Sequence, residues 1–233
     1  MNKMSLASDS RKGVSRAQAA FEELLQRIVN LELKPFQRLS EASVADMLSL
    51  GRTPVREALV RLEALGFVEI RPQRGSIVAP LRISDLEQSQ FIRESLEVSL
   101  LRRAMENDDR EEMVASLEKE VILQRAYLEI GDKESFLESD ETFHSLIAEY
   151  AGLRGVMAEI ARTRAHMDRF RRINVDWGDD LEEVRVQHLQ IVSAVKEGDA
   201  DKAAACLLKH LRRVYVFLEA VHHEYPEYFD DQE

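Results

Sequence analysis

The chain has 233 residues, 32 Lys and Arg against 43 Asp and Glu, a formal charge of −11 and 45% hydrophobic residues. This composition excludes a disordered or fibrous protein, and the length suits one large domain or two small ones, of which two is the reading followed below. The longest apolar run, the six residues Ala203 to Leu208, falls far short of the roughly 20 that cross a bilayer, and residues 1–16 form a charged arm without the apolar stretch of a secretory signal, so a cytoplasmic protein with no membrane partner is expected.

The charge is divided unevenly. Up to Pro80 there are 12 Lys and Arg against 9 Asp and Glu, a net +3; from Leu81 onward there are 20 against 34, a net −14. A mildly basic head can approach an anionic polymer that the acidic body would repel. Cys206 is the only cysteine, which excludes an internal disulfide, and its Ala/Leu surroundings read as a small side chain in a helical core.

After the arm, Phe21, Leu24, Leu25, Ile28 and Leu31 recur at helical spacing, so a first helix is expected from about Ala17 to Leu31. Ser40 is a good N-cap for a second, with Val44, Met47 and Leu48 inward, and a turn follows at Ser49-Leu50-Gly51. A third runs through Arg52-Thr53-Pro54-Val55-Arg56-Glu57-Ala58-Leu59 to an αL cap at Gly66. On it, Val55, Leu59 and Leu62 make an apolar stripe, while Arg52 and Arg56 share another face beside Thr53. Such a helix can enter a major groove N-terminus first, where Arg forks onto guanine and Thr reaches a phosphate or base edge. The plainer alternative is two arginines solvating a surface helix, with Glu57 and Glu63 as loose partners. Phe67 to Ile70 and Ser76 to Ala79 are β-prone runs joined by a turn carrying Arg71, Arg74 and Gly75, a wing positioned for backbone or minor-groove contacts. The expected fold is therefore mainly α: a winged helix-turn-helix with a small β-hairpin wing over 17–80, then an all-α bundle.

In the body, residues 81–84 read as a linker, with Ser84 and Glu87 forming a capping box for a helix to about Asn107. Further helices are expected at about Arg110 to Ile130, Lys133 to Tyr150, Leu153 to Ile173, Leu181 to Lys196 and Ala200 to His222, within an effector-binding and dimerisation domain over 85–225, followed by an acidic tail over 226–233 that frays from Tyr228. Asp140 and His144 are i,i+4 neighbours flanking Phe143, and His188 and His210 lie on the last two helices, where antiparallel packing can bring them level. One carboxylate and three imidazoles suit Zn²⁺, Ni²⁺ or a similar divalent ion with positions left for a ligand; hydrogen-bonded core histidines are the alternative.

The string Arg52 to Leu59, with Arg38 to Glu41, Gly66 and Arg74-Gly75, resembles the DNA-binding domain of GntR-type bacterial transcription regulators over about Phe21 to Pro80. It departs from that family's usual pattern at Gly51, where Ser or Thr is common, and at Pro35-Phe36, where Pro-Gly is. The order Arg93…Glu97, Asp140…Phe143-His144, His188…Ile191, Gly198-Asp199 and His210-Leu211 is similar to the FCD domain of the FadR subfamily. That resemblance implies a divalent ion, Zn or Ni foremost, at Asp140, His144, His188 and His210. It departs at Leu153, where Asn is common, and at Gln187, where Glu is frequent. Arg93 beside such an ion can anchor an anionic effector through a bidentate pair, or simply pair with Glu97. Arg162, Arg164 and Arg169 are further pocket candidates, His166, His222 and His223 surface or interface residues, and Trp177 a packing plug.

Together these readings imply a non-enzymatic, homodimeric, ligand-responsive regulator, a repressor by the family's habit, binding a short palindromic double-stranded DNA operator and sensing a small carboxylate or sugar acid. Two alternatives stand beside it: a regulator for which the ion is the signal, and a metal-dependent hydrolase, since an Asp/His₃ set can activate water.

Overall fold

The computed structural model describes residues 15–71, 75–174 and 180–230. The chain divides into two compact units between Pro80 and Leu81. In the first, α1 (Arg16–Val29) starts at the Ser15 hydroxyl, which accepts from the Gln18 N–H. It stops well before Pro35, because Leu31 turns left-handed at φ +60°. The short strand β1 (Arg38–Leu39), which the sequence reading did not foresee, leads into α2 (Glu41–Leu48), where Ser40 and Ser43 cap each other reciprocally. α2 buries Val44 and Ala45, whereas Met47 is exposed on its outer side. In the turn before α3 (Arg52–Ala64) the left-handed residue is Ser49, at φ +54°, and Gly51 is an extended N-cap. Beyond α3, Gly66 at φ +77° supplies the positive φ that reverses the chain into the wing.

The wing strands β2 (Val68–Arg71) and β3 (Gly75–Val78) pair antiparallel, and β1 adds to the other edge of β3, so the hairpin is a three-stranded sheet in the order β1-β3-β2. Leu24, Ile28, Val55, Leu59, Leu62, Phe67 and Val78 close the core of this unit. α1 and α3 are further joined by Arg61, which donates to Gln18 and covers the Phe21 ring at 4.0 Å.

The second unit consists of α4 (Ile83–Met105), α5 (Arg110–Ile130), α6 (Lys133–Tyr150), α7 (Gly155–Asn174), α8 (Asp180–Glu197), α9 (Ala200–Leu211), α10 (Val214–Glu224) and a single 3-10 turn at Pro226–Tyr228. Leu101, Met113, Leu117, Phe143, Ile191, Val195, Ala203 and Leu207 form the centre of its apolar core. Cys206 is a half-buried free thiol at the margin of that core.

Three expectations are corrected here. α4 begins at Ile83 behind an extended Arg82, so Ser84 lies in its first turn and is not a cap. The expected helix from Ala200 to His222 is two, because the Leu211 carbonyl accepts from the Gln90 side chain at 2.9 Å and the chain turns through Arg212 and Arg213. A side chain inserted into a helical hydrogen-bond ladder is a common cause of such breaks. Nor do Tyr228 to Asp230 fray, residues 231–233 lying outside the described residues: the Leu81 N–H donates to the Tyr228 carbonyl at 2.8 Å, the Asp230 N–H donates to the Leu81 carbonyl at 3.2 Å, and Phe229 is buried. Among the described residues no helix is long and apolar enough to cross a membrane.

Candidate metal centre and nucleic-acid interface

On α3 the apolar stripe of Val55, Ala58, Leu59 and Leu62 is buried, which leaves Arg52, Thr53 and Arg56 exposed together at the N-terminal end. The Arg56 guanidinium approaches Glu41 no closer than 3.9 Å, with its side chain 76% exposed, so little holds it to the protein surface. No side chain caps the N-terminus of α3 at Gly51. In the wing, Arg71 is paired to Glu69 at 2.8 Å. Gly75 adopts φ +84°, where a side chain would be strained although there is room for one. Arg74 lies outside the described residues, as does Trp177.

In the helical unit, α6 carries Asp140 and His144 one turn apart, α8 carries His188 and α9 carries His210, and all four are buried. One potential ligand atom from each lies within 4.8 Å of the others. His144 Nε2 is 3.2 Å from His210 Nε2 and 3.9 Å from Asp140 Oδ1, and His188 Nε2 is 3.5 Å from the same oxygen. Donors bound at about 2.1 Å around one ion stand roughly 3.0–3.4 Å apart, so the shorter separations here already suit a cation and the longer ones, up to 4.8 Å, would have to contract. The Phe143 ring stacks on His188 at 4.0 Å and fixes its plane.

Each imidazole is also held from behind. His188 Nδ1 donates to Gln124 Oε1 at 2.9 Å, His210 Nδ1 donates to Gln187 Oε1 at 3.2 Å, and His144 Nδ1 lies 2.6 Å from Glu97 Oε2, off the ideal hydrogen-bond line. Because the two amide oxygens can only accept, the Nδ1 atoms of His188 and His210 carry protons, and the Nε2 atoms of all three rings face inward together. This donor set suits a divalent borderline metal.

Arg93 enters from α4. It donates to Glu97 Oε1 at 2.5 Å, its Nη2 lies 3.3 Å from His144 Nε2, and its Nη1 meets the Met167 sulfur on α7 at 3.6 Å. The pair with Glu97 is therefore formed, and the same guanidinium also faces the ligand cluster. Arg164, buried on α7, binds Glu141 and Asp168, and Asp140 and Glu97 are near enough to help hold its charge. Arg169 is fully buried on the same helix, and burial lowers its pKa to about 10 against the opposing charge of Asp85. The side chain of Arg162 lies outside the described residues. His166 and His222 are half-buried and His223 is exposed. Gln124 was not foreseen as a partner of the cluster. Its signal was a lone amide in the Leu117, Val121, Gln124 stripe of α5, where an apolar residue would continue the pattern.

Burial holds the His210 imidazole well below the usual histidine range, with His188 and His144 adding to the effect and Asp140 opposing it. Burial would raise the Glu97 carboxyl, but Arg93 and then His144 outweigh it and hold it at about 2. Both groups bind fewer protons folded than unfolded, so both make stability rise with pH. The His210 contribution is complete above its unfolded value of 6.5 and is lost as pH falls below it; that of Glu97 is lost between 4.5 and about 2. Calorimetry in chelator should therefore show the helical unit losing about 1.4 kcal/mol per pH unit for each group while it titrates. A melting temperature flat from pH 7 to pH 4 would contradict this.

The FCD domain profile matches residues 89–213, and that of the "Bacterial regulatory proteins, gntR family" matches residues 16–78. The chain is 30% identical over 215 residues to the HTH-type transcriptional repressor RspR of Escherichia coli, covering 92% of this chain and 94% of that one. It is 34% identical over 211 residues to an HTH-type transcriptional regulator of Streptomyces ambofaciens, covering 89% and 86%. The fold is that of E. coli McbR/YncC, with a TM-score of 0.71 at 22% identity over 90% of this chain and 100% of that one. These relatives regulate transcription and are not enzymes, which sets aside the hydrolase alternative. With a winged helix-turn-helix head that exposes Arg52 and Arg56 together and a helical unit enclosing an Asp/His₃ cluster, the chain belongs to the GntR family of DNA-binding transcriptional regulators and carries an FCD domain.

Proposed function

We propose that the protein is a metabolite-responsive repressor that binds a short palindromic operator as a homodimer and senses a small carboxylate or sugar acid at the Asp140/His144/His188/His210 cluster. In each head, Arg52, Thr53 and Arg56 read the major groove while Arg71, Arg74 and Gly75 approach the backbone or minor groove. Two heads are needed because a symmetric operator presents two half-sites and one small head binds weakly. The repressor name of the E. coli relative supports the sign of regulation.

The observation that carries the sensing role is the set of three Nδ1 contacts, to Gln124, Gln187 and Glu97, that turns three Nε2 atoms toward Asp140. His144 Nε2 and His210 Nε2 stand 3.2 Å apart, a separation that either a shared proton or a cation can bridge. Zn²⁺ or Ni²⁺ held by these four residues would supply that charge and open positions for a carboxylate. Arg93 then contributes a guanidinium for the same carboxylate, and Glu97 keeps Arg93 in place. A second reading, in which the ion itself is the signal, is favoured by Arg93 Nη2 at 3.3 Å from His144 Nε2, since a cation arriving there repels the guanidinium.

Metal analysis of the purified chain should find about one divalent ion per protomer. His188→Ala should weaken metal binding on the order of 100-fold and abolish the response of operator affinity to effector. Titrating operator affinity with metal alone, then with a panel of sugar acids, hydroxy acids and dicarboxylates, separates the two readings. A metal-free protein showing no thermal shift with Zn²⁺ or Ni²⁺ overturns both.

A further inference from the structure

The first two residues of the helical unit are held by a segment nearly 150 positions away in sequence. Leu81 exchanges backbone hydrogen bonds with Tyr228 and Asp230, at 2.8 and 3.2 Å, and forms a parallel bridge with Phe229. The Phe229 ring, 5% exposed, meets Phe170 of α7 edge-on at 5.7 Å and His222 of α10 at 4.6 Å. Arg82 lies 4.0 Å from Asp85 and 3.9 Å from Asp230, and His166 of α7 lies 3.9 Å from the same Asp85. α7 and α10 thus meet Phe229, and α4 and α7 meet at Asp85, so the partners of Leu81 and Arg82 are held by three helices.

Two of those helices, α4 and α7, also flank the buried cluster through Arg93 and Met167. On α7, Met167, which touches Arg93, is the immediate neighbour of His166 and lies three residues from Phe170. On α4, Asp85 precedes Arg93 by eight residues, about 12 Å along the axis. Arg93 and Phe229 thus lean on the same helix, α7, at residues one turn apart. The attachment includes two backbone hydrogen bonds, one buried ring and ion-pair approaches of 3.9–4.0 Å, at the end of the described chain, where opening concentrates.

We propose that residues 226–230 are a latch through which the state of the four-ligand cluster sets how firmly Leu81 is held, and with it the operator affinity of the head that Leu81 follows. This rests on the metal-binding reading above. Closed and open forms of the latch are the two states, and an occupant of the cluster shifts their balance by its differential affinity for them.

The test follows exchange of the Leu81 amide, whose proton is donated to Tyr228, in the full chain with and without saturating Ni²⁺, with Ni²⁺ binding measured separately by calorimetry. In the wild type Ni²⁺ should change that exchange by about fivefold or more. Phe229→Ala should bind Ni²⁺ within about twofold of wild type, yet its Leu81 amide and its operator affinity should no longer respond to the ion, while Phe229→Leu, which refills the site, should restore both responses. Leu81 exchange that stays constant with Ni²⁺ bound, or Phe229→Ala that responds as the wild type does, overturns the latch and leaves the metal reading standing. Calorimetry on the chelator-stripped chain that finds neither Ni²⁺ nor Zn²⁺ bound overturns the metal reading and the latch with it.

Discussion

Glu97→Ala should destabilise the helical unit by about 3–5 kcal/mol, the cost of leaving one member of a buried ion pair uncompensated. The Arg93 and Glu97 side chains are 6% and 4% exposed, so water can replace neither partner. The loss is compounded because His144 Nδ1 loses the carboxylate 2.6 Å away. Calorimetry in chelator should show the melting temperature of this unit falling by roughly 6–20 °C. Glu97→Gln retains an acceptor for His144 while removing the charge, so its stability should fall less, and metal affinity should drop by about 10–100-fold. A loss below about 1 kcal/mol in Glu97→Ala would show that Arg93 finds another counter-charge, and the account of the cluster would have to change.

Arg56→Ala should abolish specific operator binding without altering the fold. A bidentate contact to guanine contributes about 1–3 kcal/mol of discrimination, and a symmetric operator counts it twice, so affinity should fall by roughly 30-fold to 10⁴-fold at fixed salt. The side chain is 76% exposed and its approach to Glu41 is 3.9 Å, so its removal should change stability by less than about 0.5 kcal/mol. Gel-shift titration of wild type and variant on specific and scrambled duplexes, beside a thermal melt of each, checks both halves. Unchanged affinity for the specific duplex removes Arg56 from the recognition surface.

The head was legible almost residue by residue because its signals are local. Ser40 capping, the Val55–Leu59–Leu62 stripe, the positive φ of Gly66 and the alternating wing segments each act within a few positions. β1 escaped because two residues carry no alternation, and its pairing with β3 is set by contacts 37 to 39 positions away. In the body, Asp140 and His144 could be placed on one face from spacing alone, but the approach of His188 and His210 depends on how α8 and α9 pack. The run Gln90, Arg93, Glu97 shows the same limit: polar residues occupy what would be the inward stripe of α4, and only the assembled bundle supplies their partners on α6, α7 and α9. The division of Ala200 to His222 into two helices was invisible for that reason, since its cause is a side chain 121 positions away.

That division has a mechanical result. Gln90 grips the last carbonyl of α9 one residue beyond His210, and Gln90 lies on the helix that carries Arg93 and Glu97. The imidazole is thus indexed to the scaffold around the cluster, and α10 starts afresh beyond the turn at Arg212–Arg213. The position of His210 is therefore set upstream of that turn, so substitutions within α10 should leave the spacing of the four cluster side chains unchanged.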